Sequence, residues 1–281
     1  MDTFIAPDGL RLALHRAGSG DPLVCLPGGP MQASTYLGDL GGLSAHRLLL
    51  IPDLRGTGDS PPPDDPDTYR CDRQVPDIEA LRQRVRLERF DLLGHSAGAS
   101  LALLYAVAHP DRVRRLILVN PSPRAVSLEI SDLDRRRVAE ERRAEPWFPE
   151  AFAALERIQT GQATAADGRA LAPFIYGRWD AGTQAYSARE ADQKNRVAAA
   201  AYNAEGAFDP AAVRAGLAAL QASVLLISGE MDLQLPPKSA AEYAGLFPHA
   251  ELAMVPGGGH FAWLDDPDWF TQKVAGFLRG A

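Results

Sequence analysis

Short apolar runs and longer helical stretches alternate along the first 120 residues. "LRLALHR" (10–16) alternates apolar and polar positions as a half-exposed strand does. "PLVCLP" (22–27), "HRLLLIPD" (46–53), "FDLLG" (90–94) and "RLILVN" (115–120) are instead continuous apolar runs that stop at Pro, Asp, Gly or Asn. Runs of that kind suit strands covered on both faces of a parallel sheet. "QVPDIEALRQRVRLE" (74–88) and "AGASLALLYAVAHP" (97–110) lie between them with helical spacing. Such alternation predicts an α/β sheet with right-handed crossovers.

The pattern changes at residue 123. From there to 216 no buried strand is legible, and the segment is rich in Ala, Arg and Glu with aromatics at intervals, Tyr176 and Trp179 among them. It reads as a helical insertion. Strand patterns resume with "ASVLLISGEMD" (222–232) and "AELAMVPGGGH" (250–260), and "DPDWFTQKVAGFLR" (266–279) closes the chain as an amphipathic helix. The expected organisation is one α/β core, residues 1–122 and 217–281, with a mostly parallel central sheet, helices on both faces and a helical cap at 123–216. No internal repeat is visible, and "DSPPPDDPD" (59–67) reads as a surface loop.

One strand-to-helix junction carries a chemical signal. "GHSAG" (94–98) fits Gly-x-Ser-x-Gly between an apolar strand and an apolar helix, the setting of a strained turn that exposes a serine hydroxyl. The plainer alternative is a Gly-rich junction with a chance serine. A nucleophilic serine needs a general base, and the base needs a group that holds its tautomer. Of six histidines, His260 follows "PGGG" just after the last predicted strand, at the sheet edge where other strands end. His95, inside the elbow, is expected to point away from the serine; His15, His46, His109 and His249 read as ordinary surface histidines. Asp232 in "ISGEMD" lies just past another strand end, with Glu230 as the alternative acid. The order Ser96, Asp232, His260 is that of a Ser-Asp-His triad on such a sheet. Asp265 and Asp266 read as caps of the final helix. For the oxyanion, the Ala97 amide at a helix N-terminus is one donor, and the "LPGGPM" loop (26–31) offers a second at Gly29, with a plain Gly-Pro turn as the alternative.

Composition narrows the partners. The 281 residues can bury a large core as one enlarged domain or a domain with an insertion, and 46% hydrophobic with 23% charged residues is globular usage. A net charge of −7 argues against nucleic acid or an anionic membrane as partner. A small-molecule substrate or short peptide is expected. Cys25 and Cys71 read as free thiols of a reducing, cytoplasmic setting. No metal-ligand spacing is present, and neither metal nor cofactor is expected. The N-terminus lacks the basic-then-apolar pattern of a signal peptide, and no apolar run nears the roughly 20 residues that span a bilayer.

With "DLRGTGDS" (53–60), "GEMD" (229–232) and "GGGHFAWLDDP" (257–267), the junction "GHSAG" resembles the α/β-hydrolases of the proline iminopeptidase-like branch, peptidase family S33, over the whole core. The resemblance implies Ser96 as nucleophile, Asp232 as acid, His260 as base and Gly29 with Ala97 as oxyanion donors. It also implies that Asp53 and Arg55 organise loops near the site. Iminopeptidases usually carry His-Gly-Gly-Pro-Gly in the oxyanion loop; here Pro27 and Met31 replace the first and last of these. The family's use of cap acids to hold a substrate amine points to Glu205, and Tyr176 and Trp179 are further candidates for substrate binding. The expected function is a serine hydrolase acting on a small ester, amide or lactone. The alternatives are an aminopeptidase releasing an N-terminal residue and a non-hydrolytic member of the fold, a ligand receptor or a lyase or cyclase. Epoxide hydrolases and haloalkane dehalogenases share this fold but use an aspartate nucleophile, and the serine at position 96 argues against that reading.

Overall fold

A computed structural model of the chain describes residues 2–280. Its strands are β1 (Asp2–Ile5), β2 (Arg11–Ala17), β3 (Pro22–Leu26), β4 (Leu48–Pro52), β5 (Phe90–His95), β6 (Val113–Val119), β7 (Ser223–Gly229) and β8 (Ala250–Val255). They form one sheet in the order β1-β2-β4-β3-β5-β6-β7-β8. From β4 to β8 the neighbours run parallel, while β1 and β2 are antiparallel at one edge. The apolar runs read as doubly covered strands are β3, β4, β5 and β6. In β3, Val24 and Leu26 join the core on one face, Leu23 and Cys25 the core on the other. β1 has no counterpart in the apolar pattern: four residues carry too little periodicity, and the strand exists by pairing with β2.

The core helices are α1 (Val75–Arg84) and α2 (Ala97–Ala108). α2 is buried almost all round, from Ala97 through Leu103, which is why it shows no polar face. Between β6 and β7 come α3 (Asp132–Glu140), α4 (Phe148–Gln159), α5 (Asp167–Ala170), α6 (Ala181–Glu190), α7 (Arg196–Tyr202) and α8 (Pro210–Ala218), with no strand among them. Ala139, Ala151, Leu155 and Phe174 make a small core of their own that takes in Leu233 from the loop after β7. α7 and α8 pack elsewhere: Ala198, Tyr202, Val213 and Leu217 belong to the main core. After β7 come α9 (Pro237–Ala244), α10 (Ala262–Asp265) and α11 (Pro267–Arg279). Cys25 and Cys71 are free and buried. Among the described residues no helix is long and apolar enough to cross a membrane.

The parallel registers bring the carboxyl ends of five strands to one edge. Leu26 aligns with Gly94, His95 with Val119, Val119 with Ile227, and Gly229 with Val255. The segments that follow therefore all emerge together: 27–32, 96–97, 120–122, 230–235 and 256–261. Strand order reverses between β3 and β5, because the chain leaves β3 for β4 on one side and continues from β5 on the other. A crevice at such a switch point is where open α/β sheets bind ligands.

Candidate active site

Ser96 stands at the turn from β5 into α2 with φ 52° and ψ −119°. A positive φ in a non-glycine residue costs free energy and persists only where the surroundings over-determine it. They do so here: Ser96 N–H donates to Val119 O (3.0 Å), and Ser96 O accepts from the N–H of Ser122 (3.0 Å) and of Ala99 (3.1 Å). The flanking glycines have a steric cause. A Cβ on Gly98 would lie 2.4 Å from Leu26 O, and one on Gly94 would lie 2.7 Å from Ala99 Cα. Any side chain there would force α2 away from β3 and β5.

His260 and Asp232 meet across the ends of β7 and β8, with His260 Nδ1 2.9 Å from Asp232 Oδ2. Burial raises the Asp232 pKa, but the adjacent His260 and hydrogen bonds from His260, Gln234 and Asn120 outweigh it, so the net shift is downward. An ionised carboxylate only accepts, so Nδ1 carries the proton and Nε2 is free to act as a base. Asn120 Nδ2 donates to the same Oδ2 (2.8 Å) and to Gly259 O (3.2 Å), and the Gln234 N–H donates to Oδ1 (2.8 Å). Asn120, the residue that ends the β6 run, thus fixes the acid and the histidine loop together. Ser96 and His260 line one pocket of about 340 Å³ with Gly29. Among the described residues the structure records no hydrogen bond between the two side chains.

The glycine loop after β3 is tied to the elbow by a relay. Gly28 N–H donates to Tyr36 Oη (2.6 Å), Tyr36 O–H donates to His95 Nδ1 (2.8 Å), and His95 Nε2–H donates to His260 O (3.0 Å). This direction requires a neutral His95. Burial, with the neighbouring His260, holds its pKa well below the ordinary histidine value. Among the described residues no protein acceptor takes the N–H of Gly29 or of Ala97, and the Ala97 amide opens α2, where backbone donors are free. The other side of the loop is held from the insertion. Ala33 N–H donates to Gln193 O (2.9 Å), Asn195 N–H to Met31 O (3.0 Å), and Lys194 Nζ to Gly29 O (2.6 Å). Lys194 is exposed overall, yet desolvation of its ammonium lowers its pKa, with the charge of Glu190 acting in the opposite direction.

Residues 21–267 match the family model described as the alpha/beta hydrolase fold. The chain belongs to the α/β-hydrolase family. It is 28% identical over 255 residues to a protein of Rhizobium rhizogenes named as the carbamate hydrolase RutD, covering 88% of each chain. It is 27% identical to a proline iminopeptidase of Lactiplantibacillus plantarum over 95% of each chain. Among solved structures it shares the fold of an esterase from Exiguobacterium antarcticum, with TM-score 0.75, 21% identity and all of both chains covered. Both of these relatives are named for hydrolytic reactions, and this chain is a hydrolase of that family.

The pocket of this hydrolase brings together Gly29, Ser96 and His260 of the residues expected from the sequence, with Asp232 behind His260. His95 also lines the pocket, but both its ring nitrogens are engaged with Tyr36 and His260. Glu205 is not brought there; it lies exposed in the turn after α7, because α7 packs on the main core and carries the following turn outward. The acid that the insertion does contribute is Glu190, at the end of α6, together with Lys194. Tyr176 is fully buried, stacked on Phe261, and donates from its hydroxyl to Glu190 Oε2 (3.0 Å). Trp179 packs on Tyr176 with ring centroids 5.5 Å apart. Neither is among the pocket-lining residues. Asp265 is a further correction. Asp266 caps α11 through the Trp269 N–H, but Asp265 accepts from Gly177 N–H (3.0 Å) and Gly259 N–H (2.7 Å), bracing the His260 loop against the insertion. Asp53 and Arg55 fit their loop-organising reading: Asp53 accepts from Ser34 and Asp59 N–H, and Arg55 pairs with Asp77. Gln32, with 2% of its surface exposed, had no signal in the sequence; it lines the pocket with Nε2 unpartnered.

Proposed function

We propose that this hydrolase cleaves a small-molecule ester, amide or lactone through an acyl-enzyme on Ser96. Ser96 Oγ attacks the carbonyl carbon while His260 Nε2 takes its proton, and Asp232 stabilises the imidazolium. The Gly29 and Ala97 N–H groups stabilise the tetrahedral oxyanion. Collapse breaks the bond to the alcohol or amine, which leaves with the proton from His260. Water then repeats the sequence on the acyl-enzyme, releasing the acid and restoring Ser96. The insertion, which we read as a cap, supplies Glu190, Lys194 and Ile175 to the pocket walls.

The reading is carried by the buried His260–Asp232 pair facing the same pocket as a serine held at positive φ. Its test is labelling with a serine-directed organophosphonate, followed by turnover of a panel of aryl esters, lactones and aminoacyl arylamides. Label on Ser96 and loss of turnover in Ser96→Ala are expected. Full turnover by Ser96→Ala would refute it.

A second reading rests on Glu190. Its carboxylate lines the pocket, held by Tyr176, where it could pair with a substrate ammonium. An aminopeptidase would then hydrolyse aminoacyl arylamides in preference to acyl esters, and Glu190→Gln would raise KM for the amine-bearing substrates alone. Absence of turnover on every free-amine substrate would dispose of it.

A further inference from the structure

Beside the Ser96 pocket lies a second, larger cavity of about 510 Å³ between α3, α4, α5 and the loop after β7. Its inner wall is apolar, formed by Leu155, Leu171, Phe174 and Leu233. Ile158, 39% exposed, stands in its lining. Arg135 and Gln159 of its lining are engaged elsewhere. Arg135 Nη1 donates to Ile130 O (2.6 Å), and Gln159 accepts from Arg136 Nε (2.6 Å) and donates to Asp132 O (3.3 Å). None of the buried side-chain atoms left without a partner among the described residues belongs to this lining, whereas Gln32 Nε2 of the Ser96 pocket is one of them. The two spaces thus differ in what they can recognise. One offers an unpaired donor and charges; the other adds an apolar wall that gains from excluding water, beside the Asp132–Arg135 ion pair (3.5 Å).

The two cavities share walls. Ile175 and Gln234 line both, and Asp232, bonded to His260, lines the larger. Ile175 is fixed, because its carbonyl accepts the His260 N–H (2.6 Å). Gln234 is exposed, and among the described residues its side chain makes no hydrogen bond, so it is free to swing. We propose that the apolar cavity continues the Ser96 pocket across Ile175 and Gln234 and takes a linear apolar chain of the substrate, on the order of six to ten carbons, while the carbonyl sits at Ser96. The substrate class is a medium-chain acyl or alkyl ester or lactone, an inference that rests on the acyl-enzyme reading above.

Roughly fourfold per buried methylene is the gain that transfer from water allows, less whatever stays exposed at the mouth. For p-nitrophenyl esters the octanoate-to-acetate ratio of kcat/KM in the full-length protein should therefore be on the order of a hundred or more. Filling the cavity should flatten it. Leu171→Trp and, independently, Ile158→Trp should each lower that ratio at least tenfold, and the ratio is insensitive to the fraction of enzyme that folds. A flat or falling chain-length profile in the unaltered protein, or a ratio that neither variant changes, would overturn the proposal and leave the acyl-enzyme reading standing. No turnover of any ester together with no organophosphonate on Ser96 would overturn both.

Discussion

Removing one oxygen should loosen the site from the inside. Tyr36 is 4% exposed, and its hydroxyl accepts from Gly28 N–H and donates to His95 Nδ1. Tyr36→Phe keeps the ring and its edge contact with Phe261, 6.1 Å between centroids, so no large cavity opens. What it leaves is a buried N–H and a buried imidazole nitrogen, each without a partner. An orphaned buried polar group costs about 1–3 kcal/mol, so the variant should lose about 2–6 kcal/mol of folding stability. That is a large share of the roughly 5–15 kcal/mol typical of a folded domain. The same change frees the peptide next to the proposed Gly29 donor. Losing such a donor outright costs about 10²–10³ in kcat, so a loosened one should cost on the order of tenfold or more, with little change in KM. Urea denaturation and steady-state kinetics on the unaltered protein, Tyr36→Phe and Tyr186→Phe measure both effects. Tyr186 is the comparison because its hydroxyl bonds Tyr36 O (2.6 Å), outside the relay; its loss should cost about 1 kcal/mol. A Tyr36→Phe protein within about 1 kcal/mol of the unaltered one, with kcat unchanged, would refute the relay.

Other outcomes follow from the same contacts. Asp232→Asn should leave the fold intact and lower kcat by roughly 10³–10⁴, since an amide can present its N–H to His260 and favour the wrong tautomer; a loss under tenfold would remove Asp232 from its proposed role. Asn120→Ala should lower kcat by on the order of tenfold, because Asp232 Oδ2 and Gly259 O lose the donor that aligns them; unchanged kinetics would count against it. His95 is held neutral when folded, its pKa depressed by burial and by His260. The unfolded chain therefore binds its proton first. This stability is full above about pH 6.5 and falls by about 1.4 kcal/mol per unit as pH drops below that, until the folded form also protonates. Urea titrations at pH 7 and 5.5 should show the difference shrinking in His95→Gln, and an identical pH slope in both proteins would exclude His95 as its source. Asp265→Ala should cost about 2–4 kcal/mol by stranding the N–H groups of Gly177 and Gly259; a melting temperature unchanged from the unaltered protein would contradict the brace.

The strand ends and the elbow were legible because local rules govern them. Doubly buried parallel strands must be continuous apolar runs, and "GHSAG" needs its glycines for contacts that lie within one strand, one helix and the neighbouring β3. Parallel register then carries residues at several strand ends to one edge, so Ser96, Asp232, His260 and Gly29 could be named as candidates from position along the chain. Asn120 was visible in the same way, as the polar stop of the β6 run, but its partner lies 112 residues on and no periodicity links them. Asp265 looked like a helix cap because that is its local environment; its two acceptor bonds come from chain segments that meet only when the insertion docks.

Docking is also what separates Glu190 from Glu205. Both are glutamates in an Ala-rich helical segment, and nothing in their neighbourhoods distinguishes them. The segment 193–195 pairs with the glycine loop and brings Glu190 and Lys194 to the pocket, while α7 packs on the main core and leaves Glu205 in water. By itself the sequence determined the fold and the strand-end placement and order of the candidate residues, all consequences of short-range patterning and a topological rule. Only the tertiary structure decided which insertion residues wall the pocket and where an apolar chamber adjoins it. Those depend on how one helical face settles against another, and helical spacing shows only that a face is apolar, not what it will meet.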